Sequence, residues 1–403
     1  MWGKKFAVPA LAAIGLFSVT AGAFSQDAGG PELLIREAQG PYSLVERSDW
    51  SRYDNGKYTG HVYREVRASI LPQNRGGMGY HYRGNFFVME ETLRDMRQSA
   101  RAVDAIIPVS FSIDGEKGLV INDDRGFPEF RNFPAFPGGA ISAGAKWTAR
   151  GSRAVDPLNE GTPVVIPLVA EYEYRGVEEY RNIPVHRVFA KYALQFEGQA
   201  PAQNQDFQVR GVHNVDILLR VSDGILLMMR DNLDDTYAWA DGSTLRFRGF
   251  TLTFGSGLVP LDKEAIMNAA AVGKRILPEN SGIDISSVPE GVKLTIKDIR
   301  FEPDSDEILA SERPRLDMIA RVLKESPDRI FLVEGHTAAI GRPAGEMELS
   351  VRRAKRMAAE LSNLGIPVER FIYKGWGGTK PLGDNSTDEG RRLNRRVEIT
   401  ILE

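Results

Sequence analysis

The side chains that can do chemistry in this chain are its histidines and several adjacent acid pairs. The histidines are His61, His81, His186, His213 and His336, and the pairs are Asp123-Asp124, Glu178-Glu179 and Asp234-Asp235. The histidine spacing is not that of a metal site, and no cysteine is present to add thiolate ligands. Adjacent strand residues point to opposite faces, so the acid pairs are interpreted as solvated turns. With no nucleophile elbow and no phosphate-binding glycine loop, the sequence predicts no enzyme, no metal and no cofactor.

The stretch from Gly291 to Glu403 alternates strand and helix patterns. The first helix has apolar residues at i, i+3, i+4 and i+7, which are Leu316, Ile319, Ala320 and Leu323. The apolar side of the second helix holds Val351, Ala354, Ala358 and Leu361. That helix ends at Leu364-Gly365, where a glycine lets the chain turn away. The β-α-β-α-β order with a final strand predicts helices packed on one face of a small mixed sheet.

Four separated motifs follow one another in this stretch. They are Phe301–Ser305, Glu334-Gly-His-Thr337, Leu349-Ser350 with Arg353-Ala354, and Asn394-Arg395-Arg396-Val397-Glu398. In this order they resemble the OmpA-like, peptidoglycan-binding C-terminal domain, over residues 291–403. The resemblance implies that the domain binds the peptide stem of peptidoglycan through its diamino acid, usually diaminopimelate.

In the OmpA-like family, an Arg of the Leu-Ser-x-x-Arg-Ala motif takes a carboxylate of that diamino acid, and an Asp directly after Gly-His-Thr takes its ammonium. A zwitterionic ligand end needs one charge of each sign, and an Arg fork grips a carboxylate with two hydrogen bonds. Carried over, the Arg is Arg353, whereas the Asp position is Ala338. The candidates for a compensating acid are Glu334, Glu346 and Glu348. A different diamino acid in the stem, such as ornithine, is another way to account for Ala338.

Five further residues are ligand candidates by the same resemblance: Gly335, Thr337, Leu349, Asn394 and Arg396. Thr337 offers a hydroxyl, and the backbone amides that follow Gly335 offer donors to a carboxylate. Asn394 and Arg396 have a second, structural interpretation. In that interpretation the Asn fixes the Asp384–Thr387 loop and the Arg pairs with a nearby acid.

The amino terminus has the pattern of a secretory signal peptide over residues 1–25. Lys4-Lys5 precede an apolar run from Phe6 to Val19, and Ala21-Gly22-Ala23 suits a cleavage site. A retained membrane anchor is the alternative, although the run is short for a span of about 20 residues. The sequence therefore predicts export to the periplasm and association with the cell wall or outer membrane. The net charge of −3 gives no indication of nucleic-acid binding.

Residues 27–277 are predicted to form a β-rich region, either an antiparallel sandwich or a curled sheet. Many alternating segments are joined by short turns such as Ser222-Asp-Gly224 and Asp241-Gly242. A division into two sub-units is expected near 199–205 or 139–147, and a linking helix over 261–276. The OmpA-like domain then occupies 283–403, and the whole chain is of the α+β class. A further hypothesis for this region is that a concave sheet holds an apolar or lipid-like ligand.

The function that these patterns favour is that of a non-catalytic periplasmic protein of the cell envelope. Its C-terminal domain would associate with peptidoglycan stem peptides. Its β-rich region would be a spacer or a module for envelope or outer-membrane proteins. The alternative is a structural or interaction scaffold whose divergent OmpA-like domain has lost peptidoglycan binding, which Ala338 suggests.

Overall fold

The chain separates into two compact units, each described here by itself. The first comprises Met1–Arg94 and Ala105–Val259, and the second comprises Asp95–Asp104 and Pro260–Glu403. The computed structural model describes residues 17–19, 35–37, 40–73, 79–91, 100–114, 118–137, 141–158, 160–200, 205–258, 260–275, 282–302 and 305–403.

The first unit is built almost entirely of strands. In chain order they are β1 (Phe17–Val19), β2 (Ile35–Glu37), β3 (Tyr42–Asp54), β4 (Lys57–Pro72), β5 (Gly79–Glu91), β7 (Ala105–Asp114), β8 (Gly118–Ile121), β9 (Phe130–Arg131), β10 (Lys146–Val155), β11 (Val164–Tyr180), β12 (Ile183–Ala200), β13 (Gln205–Arg220), β14 (Leu226–Trp239) and β15 (Thr244–Gly257). The short strand β6 (Arg101–Ala102) belongs to the second unit. β1 and β2 pair with each other, apart from the main sheet.

Twelve of the described strands form one antiparallel sheet. Its order is β8-β7-β5-β4-β3-β15-β14-β13-β12-β11-β10-β9. Alternation sends one face inward: in β11, Tyr172 and Tyr174 are buried whereas Glu171 is exposed. The amide of Leu119 in edge strand β8 donates to Oδ1 of Asn132, which follows edge strand β9, at 3.3 Å. Of the two architectures that the sequence left open, the structure therefore has the curled sheet.

Aromatic side chains from the segment around β9 fill the inside of the curl. They are Phe127, Phe130, Phe133 and Phe136, all buried in the core of the sheet. A cavity between Tyr42, Phe111 and Glu46 has a volume of only about 20 Å³. Such a volume holds one water molecule. A lipid chain does not fit there, so this cavity does not support the hypothesis of an apolar ligand.

A buried imidazole lies between two carboxylates on the inner face of the sheet. His213 is 1% exposed, and its Nδ1 and Nε2 lie 2.9 Å from Asp231 Oδ2 and Asp235 Oδ1 respectively. The ring of Tyr192 stacks on His213 with 4.2 Å between centroids. Burial by itself lowers the pKa of His213, but the two carboxylates outweigh it and raise that pKa above its ordinary value. The imidazolium form is therefore favoured inside the core.

The same polar network continues through two arginines to Glu46. Arg153 contacts Asp235 at 3.4 Å and Glu129 at 3.8 Å. Arg64 contacts Glu129 at 2.6 Å and Glu46 at 3.8 Å. Burial, followed by the neighbouring Glu129, raises the pKa of Glu46 from 4.5 to about 7. With Glu46 protonated, three carboxylates in this network face three cations, which is the balance that a low-dielectric interior requires.

We expect Glu46→Gln to reduce the loss of stability of the first unit at rising pH. A carboxyl whose pKa is raised on folding stabilises the fold below its ordinary pKa, and this contribution is lost as pH rises through about 7. The wild type should lose about 2–3 kcal/mol more than the variant between about pH 5 and about pH 8. The measurement is urea denaturation at both values, with unfolding followed by hydrogen exchange in β12 and β13. The control is Glu171→Gln, which changes an exposed carboxylate. An equal change in unfolding free energy between the two pH values in all three proteins would contradict the assignment.

The second unit is a six-stranded mixed sheet, counted over the described residues, with helices packed on it. Its other strands are β16 (Ile283–Val288), β17 (Gly291–Lys297), β18 (Phe331–His336), β19 (Phe371–Gly375) and β20 (Arg396–Leu402). The helices are α1 (Lys263–Lys274), α2 (Arg313–Lys324), α3 (Pro343–Asn363) and α4 (Asp388–Asn394), with 3-10 turns at Ala310–Glu312 and Val368–Arg370. The sheet order is β16-β17-β20-β18-β19-β6, in which β19 runs parallel to β18 and β6. The predicted α+β class is confirmed.

The boundary between the units differs from the prediction. The helix predicted to link them over 261–276 is α1, and its Ile266 and Ala270 are buried in the core of the second unit. An apolar stripe must be covered, and α2 and β16 cover it, so α1 is part of that unit. β6 also joins this unit, where the amide of Val103 donates to the carbonyl of Tyr373 at 2.8 Å.

Three smaller predictions concern the divisions of the β-rich region, the Asp384–Thr387 loop and the signal peptide. The predicted divisions near 199–205 and 139–147 are not boundaries, because β12 and β13 pair in one sheet that also includes β9 and β10. Helix α4 lies between the predicted Asp384–Thr387 loop and the last strand, and it begins where the Thr387 side chain accepts from the Gly390 amide at 3.0 Å. The predicted signal peptide lies outside the described residues except for β1, and its cleavage site is wholly outside. No helix among the described residues is long and apolar enough to span a membrane.

Candidate functional site

Helix α3 lies directly on the sheet because two glycines face it. A Cβ at Gly335 in β18 would be 2.1 Å from the carbonyl oxygen of Ser350, and a Cβ at Gly375 in β19 would be 2.4 Å from Ser350 Oγ. The Ser350 hydroxyl donates to the carbonyl of Met347 at 2.7 Å and accepts from the amide of Gly377 at 2.9 Å. The Glu334-Gly-His-Thr337 and Leu349-Ser350 motifs are therefore the two sides of one close contact.

This contact places Arg353, one turn along α3, at a pocket of about 180 Å³. The pocket is also lined by Asp298, Phe301, His336 and three further arginines, which are Arg300, Arg395 and Arg396. The guanidinium of Arg353 lies 4.4 Å from the centroid of the Phe301 ring. An aromatic face attracts a cation and limits its movement, so the guanidinium is held in place.

His336 forms a neutral wall of this pocket. It is 3% exposed, and burial, followed by the charge of Arg396, lowers its pKa to about 3. Within the described residues, neither ring nitrogen has a hydrogen-bond partner. Its Nε2 lies 4.0 Å from Oε1 of Glu398. The imidazole therefore adds no positive charge at neutral pH.

The other arginines of the pocket are paired with acids. Arg396 Nε donates to Glu398 at 2.7 Å. Arg300 Nε donates to Glu312 at 3.1 Å. Burial by itself raises the pKa of Glu398, but hydrogen bonds from Lys293 and Arg396 outweigh it and lower the pKa to about 2. Among the described residues, four guanidinium groups line the pocket with one carboxylate, that of Asp298, so this lining favours an anionic group.

Asn394 and Arg396 both form hydrogen bonds to other groups of the protein. Asn394 is fully buried, and its Oδ1 accepts from the amides of Leu382 and Gly383 at 2.7 and 2.9 Å. Its Nδ2 donates to the Gly383 carbonyl and to Asn385 Oδ1, both at 2.8 Å. Asn394 is thus engaged by its own loop, whereas Arg396 pairs with Glu398 and also lines the pocket.

Three other predicted ligand residues do not line this pocket. Thr337 is buried, and its amide donates to the carbonyl of Gly377 at 2.9 Å. Gly335 serves the close approach of α3, and Leu349 lies half-buried in that helix. Of the residues predicted as ligands, the structure brings Arg353 and Arg396 together at the pocket.

The predicted compensating acids are engaged elsewhere. Glu334 accepts from Nε1 of Trp376 at 2.7 Å. Glu346 accepts from the amides of Ile340 and Arg342 at 2.7 and 3.0 Å, which fixes the start of α3. Glu348 pairs with Arg352 on the helix surface. None of the three lines the pocket.

Sequence reasoning missed Asp298 and Arg300 as pocket residues. Both lie just before the Phe301–Ser305 motif, in the turn that follows β17. Their position next to a recognised motif is the signal that could have identified them. Within the described part of the chain, no group of three or more His, Asp or Glu side chains is placed to hold a metal ion.

We expect Gly335→Ala to destabilise the second unit by about 1–3 kcal/mol or more, because the new methyl meets the backbone of α3. Gly345→Ala is the matched control, since this helical glycine has nothing within 4 Å of its Cβ position. That substitution should stabilise by about 0.5–1 kcal/mol. Urea denaturation followed by hydrogen exchange in β18 and β20 measures both. Equal midpoints for wild type and Gly335→Ala would show that the contact is not tight.

Comparison with known proteins identifies the second unit. The OmpA family profile matches residues 300–395. Outer membrane porin F of Pseudomonas aeruginosa is 33% identical over 128 residues, which are 31% of this chain and 36% of that protein. Peptidoglycan-binding protein ArfA of Mycobacterium bovis is 33% identical over 103 residues, 26% of this chain and 32% of that protein. The chain thus spans about a third of the length of these relatives.

One solved structure is an outer membrane protein of Borrelia burgdorferi B31. It is 32% identical, and the match covers 31% of this chain and all of that one, with a TM-score of 0.26. The matched range contains the Phe301–Ser305, Glu334–Thr337 and Leu349–Ala354 motifs of the sequence. The carboxyl-terminal part of this chain is a member of the OmpA family.

Proposed function

We propose that this protein is a non-catalytic, periplasmic protein of the cell envelope whose OmpA-like domain associates with peptidoglycan by binding its stem peptides. The observation that carries the proposal is the position of Arg353 in a pocket of about 180 Å³ with an excess of positive charge. Stem peptides present carboxylates, and a guanidinium fork is the side chain best suited to grip one.

The geometry around Arg353 supports this role. Its guanidinium rests on Phe301, so little side-chain freedom remains to be lost when a ligand binds. One acid, Asp298, is among the described residues that line the same pocket. One relative is named peptidoglycan-binding protein ArfA, which agrees with the proposal, and the match covers about a third of that protein.

The first unit is proposed to act as a spacer or as a module that binds envelope or outer-membrane proteins. Its curled sheet is filled by its own aromatic side chains and its own polar network. The cavity described in it has no room for a ligand larger than water. Export by a cleavable signal peptide over residues 1–25 is part of the same proposal.

We expect the full-length protein to sediment with purified sacculi and Arg353→Ala to lose that association by about tenfold to a hundredfold. This is the range for the loss of one charge-assisted contact. The matched control is Arg352→Ala, which removes the neighbouring arginine that pairs with Glu348 on the helix surface. The measurement is the fraction of protein in the pellet over a range of sacculus concentrations.

Two results would contradict the proposal. In the first, wild type does not pellet with sacculi from its own host. In the second, Arg352→Ala and Arg353→Ala lose association equally, which indicates a general charge effect. Circular dichroism of each variant establishes that both remain folded.

A second candidate function is a scaffold that no longer binds the wall. The observation that favours it is Ala338, which stands at the family's acidic position and is 7% exposed. Under the proposal we expect wild type to pellet, and Ala338→Asp to pellet as well. The scaffold function is supported instead if only Ala338→Asp pellets, because the restored carboxylate then supplies a contact that the native pocket lacks.

A further inference from the structure

Asp298 is the only acid among the described residues that line the pocket of Arg353. It lies at the end of β17, in the turn before Phe301, and its amide donates to the carbonyl of Arg395 at 3.0 Å. The turn therefore joins two pocket walls, one before Phe301 and one before β20. The carboxylate of Asp298 is thereby carried by a fixed backbone.

The backbone of Asp298 has a φ of 47°, in the left-handed region. Side chains other than glycine rarely adopt this region, and Asp and Asn are among those that tolerate it best. A residue in such a conformation persists only where the surrounding structure holds it in place. This conformation fixes the backbone position from which the Asp298 side chain extends.

The partner of the Asp298 carboxylate is held loosely. Arg395 Nη2 lies 3.6 Å from Asp298 Oδ1, and the two side chains are 41% and 55% exposed. Exposed pairs of this kind contribute little to stability. An incoming ammonium can therefore replace Arg395 as the partner of Asp298 at small cost.

The acids that the sequence offered are not placed for this role. Glu334 is bound by Trp376, and Glu346 is bound by two backbone amides. Ala338 has no charge to offer and is buried. Among the described residues that line the pocket of Arg353, Asp298 is thus the acid that an entering ammonium can contact.

We propose that Asp298 takes the ammonium group that the family's Asp takes elsewhere, while Arg353 holds the carboxylate. The pocket is then specific for the zwitterionic end of a diamino acid. This inference rests on the proposed function, since it concerns the same site. It adds the residue that restores the missing charge.

The test measures calorimetric binding of meso-diaminopimelate and pimelate to the full-length protein. Pimelate has the same carbon chain and both carboxylates but no ammonium. We expect wild type to bind diaminopimelate about tenfold to a hundredfold more tightly than pimelate. Asp298→Asn should lose this preference and keep its affinity for pimelate, and asparagine also tolerates the positive φ. Arg353→Ala should weaken both ligands.

Asp284→Asn is the matched control, because it removes an exposed carboxylate that pairs with Lys297 outside the pocket. Wild type that binds both ligands equally would overturn the inference and leave the proposed function standing. A loss of both ligands in Asp298→Asn would also overturn it, since that pattern indicates a structural role. Asp304 lies outside the described residues; if Asp304→Asn removes the preference instead, the acid is misassigned. If wild type binds neither ligand nor sacculi, the proposed function itself fails.

Discussion

The close approach of helix α3 to strands β18 and β19 is the constraint on which the second unit depends. Gly335 and Gly375 leave no side chain between helix and sheet, and the backbone and hydroxyl of Ser350 occupy that space. Ser350 and Arg353 are three residues apart and are therefore neighbours on the helix surface, so this contact fixes the direction of Arg353. The pocket of Arg353 is therefore positioned by backbone packing, and the residues that line it need not hold the helix themselves.

Two buried titratable groups of the first unit and two of the second have pKa values shifted in opposite directions. In the first, Glu46 and His213 have raised pKa values, so their contributions to stability are lost as pH rises. In the second, His336 and Glu398 have lowered pKa values, so their contributions are lost as pH falls, through about 3 and about 2 respectively. The first unit buries a balanced network, whereas in the second four guanidinium groups and one carboxylate line the pocket among the described residues.

The sequence predicted the OmpA-like domain well because its signals are local: amphipathic helices, short strands and ordered motifs. Its motif gave Arg353 as a ligand candidate, which the structure places at the pocket, and it gave the structural role of Asn394 as an alternative. It did not reveal Asp298, whose place in the pocket depends on contacts with Arg395, just before β20 and about a hundred residues away. It assigned α1 to a linker because an apolar stripe does not indicate which core covers it. Sandwich and curled sheet remained open since both show the same alternation in each strand.

The most direct test of the account is methyl NMR of the full-length protein during titration with a soluble stem-peptide fragment of peptidoglycan. Ile299 and Val397 line the pocket, whereas Ile340 is 67% exposed in the loop after Ala338, where the family has its acid. The account predicts saturable shifts of the Ile299 and Val397 methyl signals, with Ile340 unchanged. Shifts confined to Ile340, or no shifts at any of the three methyl groups, would contradict it.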